Sequence, residues 1–153
     1  MKPKKRSGTV GSSALILLAP EFKEGRTVYC LERLREAGIS VSMIGLSAGL
    51  ISGYHGMTVR PDFTLSQMPD CVSHKVVLIP DGKACVSALF ADPRIHRLIK
   101  ATLAGHGIVA AMPEAESMLE RAGLVTSESA PSFVWSRDKD LKTFAGELIN
   151  HLE

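Results

Sequence analysis

Two rhythms of apolar and polar positions alternate along the chain. The runs Ala14-Leu15-Ile16-Leu17-Leu18, Val76-Val77-Leu78-Ile79 and Ile108-Val109-Ala110-Ala111 are short, unbroken and bounded by turn residues, which predicts strands buried on both faces. Between the first and the next, Gly25 to Ala37 spaces Val28, Leu31, Leu34 and Ala37 at three-residue steps and leaves Glu32, Arg33, Arg35 and Glu36 to water. That is an amphipathic helix, ended by Gly38. A strand over Ile39 to Leu46 follows, completing a strand, helix, strand unit. The Gly- and Ser-rich stretch from Ser47 to Gly56 reads as an excursion, with brief extended pieces at Met57 to Arg60 and Phe63 to Leu65 around the turn Pro61-Asp62.

The same alternation continues to the end. The strand at Val76 to Ile79 closes in the turn Pro80-Asp81-Gly82, and a helix runs on through Phe90. Asp92 caps a further helix with Pro93 at its first position and Ile95, Leu98, Ile99 and Leu103 on one face up to Gly105. After the strand at Ile108 to Ala111, Pro113 opens a helix through Ala122 that Gly123 stops. A weak strand at Phe133-Val134-Trp135 and a last helix from Asp140, with Leu141, Phe144, Leu148 and Ile149 at core spacing, complete the pattern. Strands alternating with helices predict an α/β fold, a mostly parallel sheet with helices on both faces. Ligands of such sheets gather at the carboxyl ends of the strands where strand order reverses.

Composition narrows the reading. At 153 residues with 45% hydrophobic and 22% charged residues, the chain suits one globular domain, expected over 13–153 behind a disordered basic lead-in over 1–12. The formal charge of +2 misleads: Lys2, Lys4, Lys5 and Arg6 hold four of the 18 cations, so 14 remain against 16 acids. That argues against a nucleic-acid groove, which needs cations clustered on the folded surface. No apolar run approaches the roughly 20 residues of a membrane span, and a cytoplasmic protein is the expectation.

Cys30, Cys71 and Cys85 are odd in number, widely spaced and form no C-x-x-C pair. His55, His74, His96, His106 and His151 show no ligand spacing with them, so neither a metal nor a cofactor is expected. No G-x-G-x-x-G or G-x-x-x-x-G-K-[ST] loop marks a nucleotide site.

Several pieces taken in order carry a family resemblance. They are Leu15 to Leu18, Arg35-Glu36-Ala37-Gly38-Ile39, Val59-Arg60-Pro61-Asp62, Val76 to Gly82, Gly107 to Ala111 and Ala122-Gly123-Leu124. Over about 110 residues the chain resembles the ThiJ/PfpI superfamily, whose flavodoxin-like three-layer sandwich shares the core of class I glutamine amidotransferases. The resemblance implies a cysteine nucleophile on a strained turn just after the strand at Ile108 to Ala111, and a glutamate from the loop after the first strand. It also implies oxyanion-hole amides from a Pro-Gly-Gly turn, and a homodimer.

At those places this chain departs from the pattern. Pro113 stands at the nucleophile position, and neither Met112 nor Glu114 supplies a thiol; proline is also fixed near φ −65°, whereas a nucleophile elbow usually needs positive φ. Arg26 falls where the family glutamate would lie, with Glu24 two residues away. Asp81 replaces the first glycine of the turn and Gly82 keeps the second. No histidine remains in the short segment after Leu124, while Ser136-Arg137 resembles the family's late Ser-Arg and Asp138-Lys139-Asp140 replaces its glycine-rich continuation.

Two functions remain open on these residues. In the first, the scaffold has lost its cysteine-dependent hydrolase or glyoxalase chemistry and binds a small anion or a protein partner at a vestigial site of Glu24, Arg26, Asp81, Gly82, Pro113 and Glu114. Glu114 would sit where the thiolate would be, held by helix amides, and Arg26 would face it or Asp81. The bland alternative makes Glu24 and Arg26 solvated helix-start residues and Glu114 a favourable first-turn charge. In the second, a cryptic hydrolase or lyase uses a displaced thiol, Cys30 or Cys85, or a carboxylate, Glu24 or Glu114.

Overall fold

The computed structural model describes residues 13–68, 74–137 and 139–152. The lead-in over 1–12, Cys71 and Asp138 lie outside the described residues.

Six strands form one parallel sheet. They are β1 (Ala14–Leu18), β2 (Val41–Gly45), β5 (Phe63–Thr64), β6 (Val76–Ile79), β7 (Ile108–Ala111) and β8 (Phe133–Trp135), in spatial order β5-β2-β1-β6-β7-β8. Every pairing in this sheet is parallel, with Ile16 opposite Met43 of β2 on one side and Leu78 of β6 on the other. All five residues of β1 and all four of β6 are buried, as expected of strands covered on both faces. The covering helices are α1 (Glu24–Glu36), α2 (Lys83–Phe90), α3 (Pro93–Ala104), α4 (Pro113–Arg121) and α5 (Leu141–Leu152). Helix α1 packs with α5, while α2 packs with α3 and α4 against the other face. This is the parallel sheet between helical layers that the periodicity predicts, in the flavodoxin-like arrangement that the family resemblance implies.

The helix ends follow the local chemistry. The Asp92 carboxylate accepts the Arg94 N–H at 2.9 Å with Pro93 at the first position of α3, so the cap and the fixed φ act together. Asp140 lies one residue before α5 and accepts the Thr143 N–H at 2.7 Å. Sequence periodicity passes over one element. β3 (Ile51–Ser52), in the Gly- and Ser-rich stretch, pairs antiparallel with β4 (Thr58–Val59), in the extended piece expected at Met57 to Arg60, to make a hairpin outside the main sheet. Two-residue strands are too short to show an alternation; the buried side chain of Ile51 and backbone bonds from the Glu21 N–H to the Ser52 carbonyl and from the Tyr54 N–H to the Phe22 carbonyl anchor this hairpin.

The chain runs from β1 outward to β2 and β5, then crosses back to β6 on the other side of β1. Strand order therefore reverses between β1 and β6, and the crevice above their carboxyl ends is the place a ligand would take. Among the described residues no helix is long and apolar enough to cross a membrane.

The central strand tests this packing directly. Ile16 is fully buried between two paired strands and two helical layers. Ile16→Ala should lower the unfolding free energy by about 2–5 kcal/mol with an unchanged denaturant slope, measured by urea titration.

Candidate functional site

Three junctions meet above the carboxyl edge: Ala19 to Lys23 after β1, Pro80 to Gly82 after β6, and Met112 to Glu116 after β7. Their backbones are tied together, since the Lys23 N–H donates to the Asp81 carbonyl at 2.9 Å and the Met112 N–H donates to the Ile79 carbonyl at 3.2 Å. Gly82 precedes α2 with φ +118°, and a Cβ there would overlap the Glu21 carbonyl oxygen. Only glycine fits this turn, which leaves its N–H free to point into the crevice.

That N–H is taken. It donates to Glu114 Oε1 at 2.8 Å, while the Glu114 N–H donates to Asp81 Oδ1 at 2.9 Å. The two bonds close a ring between the β6 and β7 junctions. The amide receiving the Glu114 carboxylate is that of Gly82, which ends the β6 turn and is the N-terminal cap of α2. The Asp81 carboxylate is held by the first turn of α4. Pro113 is the exposed first residue of α4, and Met112 before it is buried. A proline here starts the helix without losing a backbone bond and presents no reactive atom.

Glu24 overturns the expectation of a solvated helix start. It is 5% exposed, and its carboxylate accepts the His55 N–H at 2.8 Å, the Met57 N–H at 3.0 Å and a contact from His55 Nδ1 at 3.1 Å. Gly53 leaves room for it, because a Cβ there would overlap the carboxylate. Burial pushes the Glu24 carboxyl up, but hydrogen bonds from its own amide, the Met57 amide, and the His55 ring and amide outweigh it. The net effect holds the group below its ordinary 4.5. Glu24 therefore pins the β3–β4 hairpin and does not reach toward Glu114. Arg26 is exposed and, among the described residues, forms no ion pair. The structure does not bring it to Asp81 or Glu114, because its position on α1 faces water.

Neither described thiol opens on the crevice. Cys30 and Cys85 are fully buried. Desolvation pushes both up to about 12; for Cys85 the Asp81 and Glu114 carboxylates add to the rise, against a hydrogen bond with the Ala19 backbone.

Sequence reasoning missed two participants. Glu116 is 4% exposed and accepts from the Ser136 N–H at 2.9 Å, the Ser136 hydroxyl at 3.1 Å, the Arg137 N–H at 3.0 Å and Arg137 Nε at 2.6 Å. It ties α4 to the segment after β8. The Ser136-Arg137 pair was the available signal, a late donor pair in need of an acceptor. His55 was the other, and nothing in its spacing linked it to Glu24, 31 residues earlier. Among the described residues, no group of three or more His, Cys, Asp or Glu side chains could hold a metal ion.

Comparison with known proteins agrees with this architecture. The chain matches the model of the DJ-1/PfpI family over residues 12–149. It is 28% identical over 125 residues to Protein dj-1beta of Drosophila melanogaster, an alignment covering 81% of this chain and 66% of the fly protein. It is 27% identical over 125 residues to Deglycase PfpI of Pyrococcus furiosus, covering 81% of this chain and 74% of that one. The structure of oxidized Toxoplasma gondii DJ-1 superposes with a TM-score of 0.81 at 18% identity, covering 92% of this chain and 90% of that one, a likeness of fold alone.

Two measurements follow. The folded Glu24 carboxyl titrates lower than an unfolded one, so its contribution to stability is complete above 4.5 and is lost as pH falls through the folded value. The stability difference between wild type and Glu24→Gln should therefore be largest near neutral pH and shrink below 4.5, read from urea midpoints. A pH-independent difference would contradict the assignment. In a Cys71→Ser background, Cys30 and Cys85 should resist iodoacetamide at neutral pH and react once the chain is unfolded, read by intact mass.

Proposed function

The chain belongs to the DJ-1/PfpI family, and from that premise we propose that it is a member without cysteine-dependent hydrolase or glyoxalase chemistry. It acts by binding a small anion or a protein partner, as a cytoplasmic homodimer. One observation carries the reading: the Gly82 N–H, the donor that an incoming oxyanion would need, already holds Glu114 Oε1 at 2.8 Å. A hydrogen bond to a charged group contributes about 1.5–3 kcal/mol net, and a substrate oxygen would have to displace it. It would also meet the Asp81 carboxylate across the same turn.

The nucleophile side supports the same conclusion. Pro113 offers no thiol and holds φ near −65°, so neither the reactive atom nor the strained elbow is available. Burial raises the Cys30 and Cys85 thiols well above their ordinary value and keeps both from the crevice, which leaves neither suited to act as a displaced nucleophile. The Glu24 carboxylate is engaged by its hydrogen-bond donors and pins a hairpin. The name deglycase belongs to relatives such as that of Pyrococcus furiosus, and nothing in the described crevice supplies the thiolate on which such chemistry would rest here.

The test is turnover. Purified protein is assayed on methylglyoxal, peptide and ester substrates beside a variant with Cys30, Cys71 and Cys85 all changed to serine. The expected result is no activity above that of the thiol-free variant. Saturable turnover abolished by any single substitution would overturn the reading.

A further inference from the structure

A groove of about 380 Å³ runs between α2 and α4, inside the size range of small-molecule sites. Both helices descend from the carboxyl edge of the sheet, because each follows a strand of the same parallel set. Lys83, the first residue of α2, and Glu114 therefore stand at the upper mouth, and Arg121, the last residue of α4, stands at the lower one. Seven residues of helical rise separate Glu114 from Arg121, about 10 Å along the axis. Val86 and Met118 make the middle of the groove apolar, and Ser87 and Ser117 line it with hydroxyls.

The charges in this groove are not balanced within the chain. Lys83 and Arg121 are exposed, and among the described residues neither belongs to an ion pair. Glu114, the one acid among the residues lining the groove, offsets only one of the two cations, and one of its oxygens also accepts the Gly82 N–H. We propose that the groove binds a short aliphatic dicarboxylate, one carboxylate on Lys83 and the other on Arg121. Its methylenes lie over Val86 and Met118, and the hydroxyls of Ser87 and Ser117 donate to its oxygens. Two cations separated by an apolar floor favour this ligand over a compact anion: inorganic phosphate can engage one end only, and acetate leaves the far cation unpaired. This inference rests on the reading of the chain as an anion-binding protein and names the ligand class and its location.

The experiment is isothermal titration of the full chain with succinate, glutarate and adipate, with acetate and inorganic phosphate as controls. At least one dicarboxylate should bind saturably, about tenfold or more tighter than either control, and Lys83→Met and Arg121→Met should each weaken it about tenfold. Both side chains are exposed, so thermal unfolding of the variants should match wild type and exclude misfolding as the cause. No saturable binding, equal binding of acetate or phosphate, or binding unchanged in both variants would overturn the proposal. Failure here without any catalytic turnover removes this site alone. Turnover in the assays above would instead remove the non-catalytic reading and leave a measured dicarboxylate site standing.

Discussion

A pair of reciprocal hydrogen bonds between the turns after β6 and β7 governs what the carboxyl edge of this sheet can do. Asp81 accepts the Glu114 N–H while Glu114 accepts the Gly82 N–H, so each junction supplies both a donor and an acceptor. The glycine makes this possible, since φ +118° and the nearby Glu21 carbonyl exclude any side chain at 82. Bonds between charged carboxylates and backbone amides are stronger than neutral ones, and deleting either carboxylate would strand an amide in a partly buried place. The start of α4 is thus fixed against the start of α2, and the crevice mouth is closed by the chain's own acid.

The same device recurs around the edge. Glu24 opens α1, and Glu114 and Glu116 stand in the first turn of α4; each is placed where the helix macrodipole favours an anion. Each also reaches out of its helix to another segment: Glu24 to the hairpin at His55 and Met57, Glu114 to Gly82, Glu116 to Ser136 and Arg137. Three carboxylates thereby satisfy loop amides that a parallel sheet otherwise leaves unpaired at its carboxyl ends. The carboxyl edge of this sheet is thus braced by the chain's own carboxylates.

The fold was legible because burial and helical spacing are written locally. The apolar runs at β1, β6 and β7 and the Asp92-Pro93 start of α3 each carry their own physical signal. Of the β3–β4 hairpin, β4 falls in the extended piece read at Met57 to Arg60, whereas β3 and the pairing were not legible, because two-residue strands have no period. At the site, Pro113, Asp81, Gly82 and Glu114 could be singled out one by one, but their hydrogen bonds span 32 and 33 residues, and pairing across that distance depends on the register of β6 against β7. Glu24 and Arg26 show the same limit: two residues apart on one helix start, one is buried as a clamp and the other faces water. Helix phase decided between them, and a shift of two residues is finer than sequence matching resolves.

The most direct measurement of the closed crevice is hydrogen exchange at the Gly82 amide, followed by NMR in wild type and in Glu114→Ala. Occupation by the Glu114 carboxylate predicts slow exchange in wild type and a marked acceleration in the variant, with the neighbouring amides of β6 unaffected. Equal and rapid exchange of Gly82 in both proteins would mean that the amide is open to solvent, and the account of a self-occupied site would be wrong.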